Sequence, residues 1–214
     1  MNRLIPEIPI IYFHSIAPQQ NPDWVRKGLT LELRYFEDFL EYLKRNRWET
    51  LFFDEYLHIR KSGEKPGKKV CCLSFDDGYL DNFIYAYPLL KKQGFKATIF
   101  VSPEFIDHKR SVSKTLEDVW NGSATSKEID KWGFLTWEEM RIMQQSGVMD
   151  IHSHTMTHTK YFISDDIVTF HHPGDDCLIR SEMSLLKKSL ITLLPANLKR
   201  GSPMELPSSR KHPQ

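Results

Sequence analysis

Cysteine is scarce in this sequence. Of three, Cys71 and Cys72 are adjacent, which is poor geometry for a mutual disulfide, and Cys177 stands far from both. That pattern excludes a disulfide framework. The adjacent pair lies in an apolar run and reads as small core residues of a reducing compartment. An excess of one charge is also lacking: 29 Lys and Arg face 28 Asp and Glu, a net charge of +1 with His neutral. The balance offers no basic footprint for nucleic acid and no acidic tail, so a small or neutral ligand is the expected partner. No apolar run reaches the length needed to span a bilayer. Near the start, Pro6, Glu7 and Pro9 interrupt any signal-peptide core, and the segment reads as cytoplasmic.

What is present suffices for one domain, or one domain with a tail. Apolar residues make up 40% and aromatics 12% of 214 residues, enough for a sizeable core. Ile8 to Phe13 reads as a short buried strand ending in His14-Ser15, and Pro18 to Asp23 as a loop. Phe36, Phe39, Leu40 and Leu43 recur at helical spacing within Tyr35 to Arg45. Trp48 to Phe52 is a second strand. Asp54 is expected to cap a helix over Glu55 to Lys61, stopped by Ser62-Gly63. Val70 to Phe75 is the clearest strand and runs into Asp76-Asp77-Gly78. A helix over Tyr79 to Gln93 follows, kinked or divided at Pro88 and capped by Gly94, and then a strand over Phe95 to Val101. Strand, helix and strand in that order are the signature of a parallel sheet or α/β barrel. Pro103 to Phe134 is long and polar and reads as an insertion above the site, with one short helix near Thr115 to Trp120. Thr136 and Glu139 form a capping box for a helix ending at Gly147. Val148 to His152 is the next strand, and His154 to His158 lies on its C-terminal loop.

Two places carry chemistry, and each follows a strand, where catalytic groups gather in parallel α/β folds. Asp76 and Asp77 are adjacent. On an extended backbone their carboxylates point to different sides, so one can bind a cation while the other faces a substrate. Gly78 lets the chain turn sharply beside them. His154 and His158, three residues apart in between, can bring two imidazoles to one ion. Imidazole with carboxylate suits Zn²⁺ and, less selectively, Fe, Co or Ni. Two His and one Asp leave a coordination position open, as hydrolytic metal sites do, and Asp76 beside it could take a proton from water. Each motif alone is ordinary: Asp-Asp-Gly is usually a turn, and His-x-x-x-His is usually solvated or core-facing. Their joint placement after apolar strands favours a metal site. The helical zinc-protease motif is set aside, because Thr155 stands where it needs Glu.

At these residues the sequence resembles the polysaccharide deacetylases, the NodB-homology group of carbohydrate esterase family four. Ile10-Ile11-Tyr12-Phe13-His14-Ser15-Ile16 resembles the family's opening strand. Leu73-Ser74-Phe75-Asp76-Asp77-Gly78-Tyr79 resembles its Asp-Asp-Gly motif. Lys96 to Val101 resembles the strand after it, and Asp150 to His158 its histidine motif. The resemblance covers residues 5–177. It implies a deformed (β/α) barrel, Asp76 as catalytic base, and Asp77, His154 and His158 as metal ligands. The implied reaction is hydrolysis of N-acetyl, less often O-acetyl, groups on a polysaccharide or glycan, a substrate class that leaves envelope association open. His152 stands where the family commonly has Gly. His14 either reaches the site or serves in structural hydrogen bonding. Tyr79, Asp81 and Asn82 are read as capping or starting the helix.

The family's later motifs, an Arg- or Tyr-Pro-containing loop and a late His acting as general acid, are not found. Ser181 to Leu194 is loosely amphipathic, and Pro195 to Gln214 is rich in Pro, Ser, Lys and Arg. Residues 178–214 therefore read as an atypical tail, disordered or displaced from its coding frame near Cys177. The barrel is expected to be incomplete at its C-terminal end, with an open sheet edge. The alternative to an active enzyme is a truncated, inactive remnant that binds metal or glycan without turnover.

Overall fold

The computed structural model describes residues 7–158, apart from 22–24 and 26–27. Seven strands and six α-helices follow the chain: β1 (Ile10–Phe13), β2 (Ser15–Ala17), β3 (Thr30–Glu32), α1 (Leu33–Arg45), β4 (Trp48–Leu51), α2 (Phe53–Ser62), β5 (Lys69–Asp77), α3 (Tyr87–Gln93), β6 (Ala97–Val101), α4 (Leu116–Trp120), α5 (Ser126–Ile129), α6 (Trp137–Gln145) and β7 (Met149–Ser153). The atypical tail and Cys177 lie outside the described residues.

β5 organises the larger sheet. Its residues Cys72 to Phe75 pair in parallel with Ile10 to Phe13 of β1. Lys69 to Cys72 pair with β4, and Ser74 to Asp77 with β6, which continues to β7. Cys72 has partners in both β1 and β4, and Ser74 in both β1 and β6. So β4 and β6 flank the same side of β5, one after the other along its length. Val70 to Phe75 are buried without interruption, the pattern of a parallel strand covered on both faces. Phe36, Leu40 and Leu43 of α1, Leu89 and Leu90 of α3, and Met140 and Met143 of α6 pack with Leu73, Phe75, Ile99 and Met149 into one core. Cys71 and Cys72 are buried free thiols, and burial pushes each thiol up to about 11. They sit in the core as their apolar setting suggested.

Two sequence expectations are corrected. β1 is not a buried strand: Ile10 is 45% and Tyr12 68% exposed, alternating with the partly buried Ile11 and Phe13, so one face of the strand is open. Asp54 does not cap α2. The helix begins at Phe53, and the Phe52 N–H donates to the Glu55 carboxylate at 2.8 Å, leaving Asp54 in the first turn. The helix expected over Tyr79 to Gln93 is divided, as Pro88 suggested. A π-helical turn spans Asn82–Ala86, and Pro88 falls in the first turn of α3, where its missing N–H costs nothing.

The segment between β6 and α6 holds more structure than the single helix expected: a 3₁₀ turn at Pro103–Phe105, then α4 and α5. It is tied down by Glu139, the expected capping-box residue of α6. The Glu139 carboxylate, wholly buried, accepts from both terminal nitrogens of Arg110 at 2.6 and 2.8 Å and from the Ser113 and Thr136 N–H groups. A β-bridge joins Tyr79 to Phe134, and Leu135 N–H donates to the Gly78 carbonyl at 2.9 Å. The segment therefore returns to the C-terminal end of β5, beside Asp76 and Asp77.

Candidate metal centre

Strand register aligns the residues that carry the motifs. Asp77 is level with Val101 on β6, and Val101 with Ser153 on β7. The last rungs of three parallel strands thus lie in one row, with adjacent strands about 4.8 Å apart. His154 comes directly after that row, and its N–H donates to the Val101 carbonyl at 2.8 Å. The loop beyond is closed by the His158 N–H donating to Thr155 Oγ1 at 3.1 Å. The Glu104 N–H donates to the Met156 carbonyl at 3.1 Å and anchors the same loop to the turn after β6.

The outcome is convergence. One ligand atom each from Asp77, His154 and His158 lies within 4.8 Å of the others. His158 Nε2 is 3.3 Å and His154 Nε2 3.8 Å from Asp77 Oδ1. The two imidazoles stand nearly perpendicular, with centroids 5.3 Å apart. Asp77 is 5% exposed, and its Oδ1 has no hydrogen-bond partner among the described residues. A buried carboxylate oxygen without a donor is costly, and a cation is the natural partner for it. The donor set of two imidazole nitrogens and one carboxylate oxygen fits a first-row divalent ion, Zn²⁺ best.

Backbone strain concentrates at the same place. Asp77 (φ 72°) and His158 (φ 49°) are two of three non-glycine residues with positive φ among those described. Such conformations cost free energy and persist where the surroundings fix them, often at functional sites. Gly78 must be glycine on two counts: its φ is 80°, and a Cβ there would meet Val101 Cγ1 at 3.0 Å.

Asp76 is half-buried beside this cluster. Burial pushes its carboxyl above the ordinary value; the charges of His14, His154 and His158 pull it back, and that of Asp77 adds to the rise. Of these charges, His14 acts most strongly. The sequence left His14 between a site role and a structural one; its charge acts on Asp76, and its ring stands edge-on to that of Tyr12, with centroids 5.9 Å apart. Phe13 is level with Phe75, with rings 5.3 Å apart; that is the last rung β1 shares with β5, and His14 and Asp76 are the residues that follow it on either chain segment. His152, by contrast, faces elsewhere: its Nε2 meets Asp150 Oδ2 at 2.8 Å and its ring leans on Phe100.

Sequence reasoning missed two groups. Asp81 and Asn82, read as capping or starting the helix, do stand at the start of the π-helical turn but make no side-chain cap; their side chains reach the segment after β1. An aromatic wall also borders His158: Tyr79 stacks on Phe134, which meets Phe105, whose centroid is 6.3 Å from the His158 ring. The recurrence of aromatics at 79, 105 and 134 was the available signal, but no periodicity ties them together.

The parallel α/β sheet, with its polar cluster at the C-terminal strand ends, has the architecture of a deformed-barrel deacetylase. The polysaccharide deacetylase family model matches residues 63–173, just over half of the chain, and the chain belongs to that family. It is 33% identical over 152 residues to YxkH of Bacillus subtilis (strain 168), a protein named for polysaccharide deacetylation; the match covers 71% of this chain and 43% of that protein. It is 25% identical over 147 residues to the poly-beta-1,6-N-acetyl-D-glucosamine N-deacetylase of Staphylococcus aureus, covering 68% of this chain and 41% of the other. The chain thus spans less than half the length of these two relatives. Among solved structures, the Streptococcus pyogenes deacetylase PplD in complex with acetate matches with a TM-score of 0.50 and 28% identity, over 69% of this chain and 55% of that one. IcaB from Ammonifex degensii matches in fold, with a TM-score of 0.53 and 19% identity, over 86% of this chain and 70% of that one. Among the described residues, no helix is long and apolar enough to cross a membrane.

Proposed function

We propose that this chain carries the reaction centre of a metal-dependent hydrolase that removes N-acetyl, or O-acetyl, groups from a polysaccharide or glycan. The observation that carries the reading is the convergence of Asp77, His154 and His158 around a buried carboxylate oxygen that lacks a donor among the described residues, with Asp76 alongside. Asp77, His154 and His158 would hold a divalent cation, and Zn²⁺ there would act as a Lewis acid toward an acetyl carbonyl.

The remaining chemistry belongs to the chain's own side chains. Asp76, half-buried beside the three ligands, takes a proton from the attacking water. The water oxygen bonds to the acetyl carbon as the C–N bond to the sugar breaks. The departing amine nitrogen needs a proton, which His14, just after the strand β1 that pairs with β5, would give. Acetate and a free amine result. Asp76 and His14, at the ends of neighbouring strands, would then serve as base and acid.

The Staphylococcus aureus relative makes a β-1,6-linked N-acetylglucosamine oligomer the first substrate to test. The full chain, supplied with Zn²⁺ or Co²⁺, is expected to release acetate from it, and Asp76→Asn is expected to abolish release. Stoichiometric metal binding without acetate release from that or other N-acetylated oligosaccharides would favour the inactive remnant. Absence of stoichiometric metal would overturn the centre itself.

A further inference from the structure

The hydrogen bonds behind His14 have no role in the chemistry above. The Asp81 side chain is wholly enclosed, with the residue 3% exposed. Its Oδ2 accepts from Ser15 Oγ at 2.6 Å, and its Oδ1 accepts from the Ile16 N–H at 3.2 Å and from Asn82 Nδ2 at 2.9 Å. Asn82, equally buried, also donates from Nδ2 to the His14 carbonyl at 2.8 Å. Thr30 Oγ1 on β3 donates to Ser15 Oγ at 3.1 Å. Residues 14, 15 and 16 are thus each held by one of two neighbouring side chains just beyond Asp76-Asp77-Gly78.

That placement is specific. His14 is the single residue between β1, in the larger sheet, and β2, in the smaller one. The chain changes sheets there, so neither ladder alone fixes the direction of its side chain. The π-helical turn that starts at Asn82 follows directly. Burial pushes the Asp81 carboxyl up to about 7, with the bonds from Ser15, Ile16 and Asn82 opposing the rise. Apolar packing would avoid that cost, whereas a carboxyl can grip two adjoining residues of another strand at once.

We infer that Asp81 and Asn82 are positioning residues that hold the β1–β2 junction, and with it His14, beside the end of β5 that carries Asp76. The inference rests on the reading of His14 and Asp76 as the proton-handling pair. Misplacing a reacting group by about 1 Å can cost ~10²-fold in rate, so a clamp of this kind shows in turnover rather than in binding.

The test is a kinetic cycle on the full chain with Zn²⁺, using acetate release from the N-acetylglucosamine oligomer. Asp81→Ala and Asn82→Ala are each expected to lower kcat about 10-fold or more with KM little changed. Asp81→Asn, which can keep all three contacts if the Ser15–Thr30 hydroxyls reverse, is expected to restore most of the loss. In a His14→Gln background, Asp81→Ala should cost nothing further, whereas a general loss of structure would multiply the two defects. Glu139→Gln, which loosens a buried cluster sharing no residue with the Asp81 hydrogen bonds, serves as the control for lost stability.

A second readout does not need turnover: the rate at which diethylpyrocarbonate modifies His14, followed by mass spectrometry. Asp81→Ala is expected to speed it several-fold and Glu139→Gln to leave it unchanged. If Asp81→Ala does not fold, Ser15→Ala removes one of the same contacts and is read the same way. Multiplicative losses in the cycle, or an unchanged His14 modification rate, would overturn the clamp. If the wild-type chain releases no acetate, the proposed reaction fails, and the modification rate still decides the clamp.

Discussion

Glu139 and Asp77 are both buried carboxylates, and they are treated in opposite ways. Glu139 meets both terminal nitrogens of one guanidinium and two backbone N–H groups. Burial alone would raise its pKa, but the Arg110 bonds, the Thr136 and Ser113 N–H groups and the Arg110 charge hold it below the ordinary value. Asp77 Oδ1 has no hydrogen-bond donor among the described residues, on a backbone in the left-handed region, with two imidazoles close by. The Glu139 carboxylate is fully met as it stands and locks a long segment to α6. The Asp77 arrangement is incomplete until something cationic arrives. Full hydrogen bonding marks structure, and an unfilled buried acceptor beside strained backbone marks a binding site.

Substitutions sharpen that contrast. The largest effect is expected from Asp76→Asn: acetate release falls by about 10²–10⁴-fold with the melting temperature nearly unchanged, measured by coupled acetate assay and calorimetry. Glu139→Ala is expected to do the reverse. Leaving Arg110 without its buried partner costs about 3–5 kcal/mol in denaturant unfolding, while zinc stoichiometry in the folded fraction stays at one. A further step concerns Zn²⁺ itself. Free metal at 100 times its Kd should stabilise the chain by about 2.7 kcal/mol, a chelator should remove the gain, and Asp77→Asn should never show it. Asn tolerates positive φ, so that loss is assignable to the charge and not to the backbone. If Asp77→Asn gains as much from zinc as the parent, the contrast between the two carboxylates is wrong.

The smallest expected effect concerns Asp81, which lies between these extremes with three donors and no cation. Its folded pKa of about 7 is raised above the ordinary 3.8. The folded state therefore binds its proton more tightly than the unfolded state. The corresponding stability is fully present below the ordinary value and is lost as pH rises toward about 7. The unfolding midpoint of the parent should decline across that window, and Asp81→Asn should flatten the decline. An equal slope in both proteins would count against a protonated Asp81.

How much of this was legible in the sequence depends on the range of the interaction. The order of strands and helices, the capping box of Thr136 and Glu139, the division at Pro88 and the two motif ends could be read, because each is written in neighbouring residues. The partner of Glu139 could not. Arg110 lies 29 positions away in a polar segment without periodicity. The reach of Asp81 was missed for the same reason: a carboxylate at a helix start usually caps, and nothing local says that this one reaches Ser15, 66 positions back. The position of His14 stayed undecided until the register of β1 on β5 was known, since slipping a strand by one residue turns its side chains to the other face. The exposure of β1 went unforeseen because an apolar run does not reveal whether one face or two will be covered.

One strand carries a consequence for the whole assembly. β5 hydrogen-bonds to three neighbours, β1, β4 and β6, and only β7 of the larger sheet lacks a direct tie to it. Its amides should therefore be the last to exchange with deuterium, opening only when the domain as a whole comes apart. The acidic pair at its tip shares that anchorage. A ligand arriving there would meet carboxylates already held in place, and the ordering they require was completed when the chain folded.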